Sequence, residues 1–194
     1  MSINMRGKER YAADRAYFDL MVEELDRANS IITEFLSLAK NKAVNLVLND
    51  LNKILKSILP LMSADGLVTD NYVVLKTKKV PSLMLDEKEI RQLVLNLVRN
   101  GLQAMEPGQT LTIETYQEED NVVLAVRDQG KGIPNGIMDK IGVPFFTTKD
   151  SGTGLGLAVC FSIAARHKAK IDFETGKEGT VFYVRFKKTA PAGG

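Results

Sequence analysis

The sequence predicts an α+β fold, in which helices and strands form two layers, preceded by one long helix. Segments with apolar residues three or four positions apart alternate with short stretches in which polar and apolar residues alternate. With 194 residues and 44% hydrophobic content, the chain can bury one sizeable core and little more. We therefore expect one domain over residues 43–188, preceded by an appended helix over 1–42 and followed by a frayed tail over 189–194.

The composition excludes several classes of protein. Lys and Arg number 26 against 24 Asp and Glu, and the two signs are interspersed, so nucleic-acid binding is not expected. The single cysteine, Cys160, excludes an internal disulfide and suits a reducing, cytoplasmic compartment. No run of about 18 apolar residues and no signal-peptide pattern occurs, so we expect no membrane segment in these residues, whether or not a longer parent is anchored.

Residues 9–42 contain neither proline nor glycine and predict one long helix. Its apolar residues follow a heptad spacing, which predicts a homodimer formed through partner helices. The alternative is a helix packed on its own domain. The heptad positions are Phe18, Met21, Leu25, Ala28, Ile32, Phe35 and Ala39, widened by Leu20, Ile31 and Leu38.

The shorter elements follow in order. Asn49 or Asp50 can cap the first helix of the domain, Asp86 opens the second, and Pro107-Gly108 closes it. A glycine-rich loop over 129–156 is long for a compact domain, which indicates function. The predicted helices are 50–64, 86–105 and 155–167; the predicted extended segments are 44–47, 72–77, 82–85, 110–116, 122–127, 170–175 and 181–187.

Asn96 and Asn100 are four residues apart and therefore share one face of the second helix. Amide oxygens are hard, neutral ligands, suited to a magnesium ion that already bridges phosphates. Two asparagines on a helix are otherwise ordinary polar residues. The leucines around them indicate a partly buried face, where an unpaired amide is costly.

Two further segments have the composition of a nucleotide site. Asp128 follows a strand and precedes Gly130, Gly132 and Ile133, so that backbone can approach a flat ligand while the carboxylate accepts from an exocyclic amine such as that of adenine; a plain turn is the alternative. The run Gly152-Thr153-Gly154-Leu155-Gly156-Leu157 opens a helix, where backbone N–H groups hold phosphates. It matches neither the Walker loop nor the dinucleotide fingerprint.

In this order, the motifs resemble those of the histidine kinase catalytic domain over residues 50–187. Pro144-Phe145-Phe146-Thr147-Thr148-Lys149 resembles the short lid of sporulation and nitrogen-regulation kinases. The superfamily includes gyrase, the mismatch-repair ATPase and a heat-shock chaperone. The resemblance implies the Bergerat ATP-binding fold, a mixed sheet with helices on one face, and ATP and Mg²⁺ as cofactors.

The resemblance also implies roles for single residues. Asn100 would ligate magnesium, Asp128 would bind the adenine amine, and Thr180 would close the adenine pocket. Many similar kinases carry a lysine where this chain has Gln103, so Arg99 or Lys149 is expected to supply charge to the phosphates. Where similar kinases have His-Gly, this chain has His167-Lys168, so the glycine that usually caps the preceding helix is absent. His167 is expected to be a helix-end residue. The remaining candidates for nucleotide contact are Asn96, Gln103, Phe146, Thr148 and the glycine-rich run.

The choice among relatives rests on Asn96. ATP-hydrolysing members of the superfamily have a glutamate at this position, which acts as the base that activates water. An asparagine cannot accept that proton. The resemblance therefore favours transfer of the γ-phosphoryl group to a histidine on another element. The chain has a single histidine, His167, and no acceptor motif. The resemblance therefore implies a kinase fragment without its acceptor helix, in which residues 1–42 are a partial dimerisation helix, the second of the hairpin. Its expected partners are ATP or ADP, that acceptor helix and a response regulator. The alternatives are an anti-sigma-type serine kinase and a nucleotide-responsive module without catalysis.

Overall fold

The computed structural model describes residues 44–149 and 152–188, together with residues 15, 17–22, 24, 25, 28, 29, 31–36 and 38. The chain forms two compact units, residues 1–39 and 40–194. The predicted boundary between residues 42 and 43 and the predicted tail lie outside the described residues.

The first unit is helical at each described position from 15 to 36, in agreement with the predicted long helix. Phe18, Leu25, Ile32 and Phe35, which belong to the predicted heptad, are each more than half exposed. Ala39 lies outside the described residues. None of the helices in the described part of the chain is long and apolar enough to cross a membrane.

The described residues of the second unit form a five-stranded mixed sheet and three α-helices, which confirms the predicted α+β class. The strand order is β2-β4-β5-β7-β6; β2 and β4 are parallel and the other pairs antiparallel. A second, two-stranded sheet pairs β1 with β3. The strands are β1 Val47–Asn49, β2 Tyr72–Thr77, β3 Leu83–Leu85, β4 Thr110–Glu118, β5 Asn121–Arg127, β6 Lys170–Gly176 and β7 Gly179–Lys187; the helices are α1 Leu51–Val68, α2 Glu87–Leu102 and α3 Gly156–Arg166.

The core lies between the sheet and the helices. Along β4, Leu111, Ile113 and Thr115 are buried and alternate with half-buried residues, because successive side chains point to opposite faces. Leu93 and Leu97 of α2 are also fully enclosed. The helices pack against strands of this sheet. This packing fixes the positions of the C-terminal ends of β5 and α2.

Aspartates begin two helices as predicted. The Oδ1 of Asp50 accepts hydrogen bonds from the N–H groups of Asn52 and Lys53, and the Oδ1 of Asp86 accepts from Lys88 and Glu89. Each carboxylate satisfies N–H groups that the first helical turn leaves free.

Several boundaries differ from the prediction. The segment predicted as extended at 44–47 forms its strand at Val47–Asn49, because these three residues pair with Leu83–Leu85. The first helix continues past residue 64 to Val68. The second ends at Leu102 rather than near Met105, where the N–H of Met105 bonds to Leu102 in a tighter turn. A 3₁₀ helix, Asn135–Lys140, interrupts the predicted loop.

His167 ends α3, which confirms its expected position at a helix end. Its Nε2 accepts from the backbone N–H of Asp86 at 3.0 Å, and its Nδ1 donates to the carbonyl of Ile163 at 2.9 Å. Both ring nitrogens are therefore used, and the buried ring joins the end of α3 to the start of α2. Lys168 adopts a φ of 52°, so it takes the left-handed conformation that glycine usually supplies after a helix.

We expect His167→Ala to lower the free energy of unfolding by about 2 kcal/mol, because it leaves the N–H of Asp86 without its partner and opens a cavity. Arg91→Ala is the control: it removes an exposed ion pair with Glu87 and should change stability by less than about 0.5 kcal/mol. Urea unfolding measures both, and equal effects would show that the histidine bridge contributes no stability.

Candidate functional site

Asp128 directly follows β5 and is only 6% exposed. Its Oδ1 accepts from the N–H groups of Gly130 at 2.9 Å and Thr180 at 3.0 Å, while its own N–H donates to the carbonyl of Thr180. No described residue donates a hydrogen bond to its other oxygen, Oδ2. The carboxylate is thus fixed by one oxygen and retains the other as an acceptor.

Burial raises the pKa of Asp128 above its ordinary value. The hydrogen bonds from Gly130 and Thr180 and the positive charge of Lys149 act in the opposite direction. The ionised carboxylate therefore costs free energy in this site, and a donor to Oδ2 would reduce that cost.

Two threonine hydroxyl groups are paired beside Asp128. The Oγ1 of Thr180 lies 3.0 Å from the Oγ1 of Thr175, which in turn accepts from the N–H of Ile133 at 2.7 Å. Sequence reasoning missed Thr175. The predicted second strand of the hairpin that follows α3 begins at residue 181, and only the observed pairing of β6 with β7 places Thr175 opposite Thr180.

The glycines after Asp128 contact protein backbone. A Cβ on Gly130 would lie 2.4 Å from the carbonyl oxygen of Ala104, and one on Gly132 would lie 2.1 Å from that of Gly176. Gly132 also has a φ of 73°. In this structure, close packing within the domain is what excludes a side chain at both positions.

Asn96 and Asn100 meet the start of α3. The Nδ2 of Asn96 donates to the carbonyl of Gly156 at 3.2 Å. A Cβ built on Gly156 would lie 3.7 Å from the Nδ2 of Asn100. The Oδ1 of Asn100 faces the Nζ of Lys149 at 3.5 Å, and the same Nζ donates to the Oε1 of Gln103 at 2.7 Å. α2, the glycine-rich start of α3 and the lid residue Lys149 therefore converge.

The lid meets the glycine-rich start of α3. No side chain among the described residues caps its first turn, although the Oγ1 of Thr153 accepts from the N–H of Leu155 just before it. Gly154, with a φ of 67°, packs on the backbone of Phe145 and accepts its N–H at 3.0 Å. Phe145 itself has a φ of 66°, a strained conformation for a bulky residue. The lid is thus joined to the glycine-rich run through backbone.

Not every candidate joins this cluster. Arg99 pairs with Asp65 of α1 at 2.9 Å, so of the two proposed sources of charge only Lys149 contacts Gln103 and Asn100. Phe146 lies under the ammonium of Lys140 at 5.5 Å. Among the hydrogen bonds of the described residues, none joins Thr148 to the cluster.

The titration of Asp128 predicts a pH dependence of stability. Because burial raises its pKa above 3.8, the folded protein binds this proton more tightly than the unfolded chain does. As the pH falls from neutral through the folded-state pKa towards 3.8, the free energy of unfolding of the wild type should therefore increase relative to that of Asp128→Asn. Urea unfolding of both proteins over this range measures the difference. A constant difference, or one of opposite sign, would contradict the prediction.

The mixed sheet and its helices form an α+β domain whose sequence matches a known ATPase family. A sequence profile of the family described as "Histidine kinase-, DNA gyrase B-, and HSP90-like ATPase" matches residues 85–190. The chain belongs to this family, which confirms the resemblance and the Bergerat fold that it implies.

Individual relatives agree with this assignment. Sporulation kinase C of Bacillus subtilis (strain 168) is 35% identical over 181 residues, covering 91% of this chain and 42% of that protein. Histidine kinase ThkA in complex with the response regulator protein TrrA matches with a TM-score of 0.74 and 27% identity, over 89% of this chain and 51% of ThkA. Full-length ShkA in complex with AMPPNP shares the fold, with a TM-score of 0.80 and 22% identity over 91% of this chain and 40% of ShkA. The chain thus spans less than half the length of Sporulation kinase C.

Proposed function

We propose that this chain is the ATP-binding catalytic domain of a two-component sensor histidine kinase, which binds ATP or ADP with magnesium and donates the γ-phosphoryl group of ATP to a histidine on another element. The observation that carries the proposal is the meeting of three distant segments at Asn100: α2, the start of α3 and Lys149. Membership of the ATPase family and the similarity to Sporulation kinase C support it.

At the adenine end, the Oδ2 of Asp128 accepts from the exocyclic amine. This role is supported by the two N–H groups that fix Oδ1 and leave Oδ2 without a donor among the described residues. Thr180 closes the pocket, supported by Thr175 through their paired hydroxyl groups. Gly130, Gly132 and Ile133 form its wall.

At the phosphate end, the backbone of residues 152–157 and the positive end of α3 hold the phosphates, and Lys149 adds a full charge. At this end, the described side chains fit magnesium through one neutral ligand. The described residues contain no group of three histidine, cysteine or carboxylate side chains that could hold a metal. The neutral oxygen of Asn100, which faces the cluster, would hold Mg²⁺ that keeps phosphate oxygens and water as its other ligands. When bound, the ion neutralises charge on the phosphates.

Transfer, rather than hydrolysis, follows from two residues. Asn96 is an amide that donates to the carbonyl of Gly156, so it is no base for water. His167 is buried and uses both ring nitrogens in bonds to backbone, so it is no acceptor. Together with the similarity to histidine kinases, these two residues support transfer of the phosphoryl group to a histidine that this sequence does not contain.

We place that histidine on the first helix of a dimerisation hairpin, with residues 1–42 as part of the second helix, followed by the catalytic domain over 43–188 and the tail over 189–194. The exposed apolar residues Phe18, Leu25, Ile32 and Phe35 support a homodimer through this helix. ThkA was crystallised with a response regulator, and we extend this class of partner to the present chain. The single cysteine supports a cytoplasmic location.

Titration calorimetry should detect one site for ATP with magnesium. Asp128→Asn should weaken binding by about 1.5 to 3 kcal/mol, because it replaces the acceptor of a charge-assisted hydrogen bond by an amide. Its folded state is checked by the urea unfolding described above. The absence of any heat or thermal shift with the wild type would remove the proposal, and unchanged affinity of the variant would reduce Asp128 to a turn residue.

The acceptor is tested by mixing γ-labelled ATP, this chain and a separately made helical hairpin that carries the acceptor histidine, with a His→Gln hairpin as the control. We expect an acid-labile phosphoryl product on the histidine hairpin and none on the control or on this chain alone. An acid-stable product would indicate a serine kinase, and no product in a chain that binds ATP would indicate a nucleotide-responsive module.

A further inference from the structure

The ammonium of Lys149 has two acceptors of unequal distance at one end of α2. The Oε1 of Gln103 lies 2.7 Å from Nζ, a short hydrogen bond, whereas the Oδ1 of Asn100 lies at 3.5 Å, the limit of one. Gln103 is the C-terminal cap residue of α2, and its N–H bonds to the carbonyl of Arg99. Its backbone is therefore fixed while its side chain reaches the lid.

Two cations cannot occupy the oxygen of Asn100 together. In the function proposed above, this oxygen ligates magnesium, and an ammonium on the same atom would repel the ion. Gln103 gives the ammonium a separate acceptor. Because that acceptor is a neutral amide and not a carboxylate, the lysine keeps its whole charge for the phosphates.

The surroundings make this acceptor important. Arg99, which lies one turn before Gln103 on α2, pairs with Asp65. The Oε1 of Gln103 is the acceptor that holds the ammonium of Lys149 at ordinary hydrogen-bonding distance.

We propose that Gln103 is a positioning residue, which holds the ammonium of Lys149 beside the phosphates and leaves the oxygen of Asn100 to magnesium. The inference rests on the proposed function. It assigns to Gln103 no contact with the nucleotide: its whole effect passes through Lys149.

The test compares the wild type with Gln103→Leu, Lys149→Gln and the double variant. Calorimetry measures the affinities for ATP with magnesium and for adenosine. We expect each single change to weaken ATP binding about tenfold, the value of one hydrogen bond to a charged group. The double variant should bind ATP no more weakly than Lys149→Gln, because Gln103 acts through the lysine. Adenosine affinity should stay unchanged, because adenosine has no phosphates.

Magnesium provides a readout that a structural role would not move. In Gln103→Leu the ammonium has only Asn100 left of its two acceptors and competes with the ion, so the magnesium concentration for half-maximal ATP binding should rise. It should return towards the wild-type value in the double variant, which has no competing ammonium. Lys88→Gln, a change of one charge at the other end of α2, is the control for general electrostatic effects.

Additive losses in the double variant, an unchanged magnesium midpoint in Gln103→Leu, or a loss of adenosine affinity would each overturn the inference. Gln103→Met, whose thioether sulfur is only a weak acceptor, repeats the test if the leucine destabilises α2. A wild type that fails to bind ATP would instead remove the proposed function. The two failures are thus distinguishable.

Discussion

The pair of backbone N–H groups that converge on the Oδ1 of Asp128 is the constraint on which the rest of the site depends. They come from Gly130 and Thr180, two and 52 residues away in sequence. Together they tie the end of β5 to the start of β7 and to the following loop. Burial of a carboxylate costs free energy unless the group accepts hydrogen bonds. Here the hydrogen bonds to Oδ1 also set the direction in which Oδ2 points. The same contacts that hold the fold together therefore orient the acceptor.

Much of the fold follows from local chemistry. Asp50 and Asp86 mark helix starts because their carboxylates satisfy free N–H groups, and alternation of buried and half-buried residues marks the strand β4. The exceptions depend on tertiary pairing. The strand β1 stands at Val47–Asn49 because β3 selects those residues, and nothing within the segment distinguishes it from residues 44–46.

The site was predictable in its parts more than in its contacts. As predicted, Asn96 and Asn100 share one face of α2, and Asp128 follows a strand. The direction of the Arg99 side chain, by contrast, depends on how α1 packs against α2 and places Asp65. The hydrogen bond from Lys149 to Gln103 joins residues 46 apart. Such contacts depend on the packed structure and leave no periodic signal in the sequence.

The central claim is that the Oδ2 of Asp128 accepts a hydrogen bond from the adenine amine. Competition between ATP and inosine triphosphate, which carries a carbonyl oxygen in place of that amine, tests it most directly. Two acceptors facing each other repel, so inosine triphosphate should bind at least about tenfold more weakly than ATP, and Asp128→Asn should reduce this preference. Equal affinities of the wild type for the two nucleotides would contradict the claim.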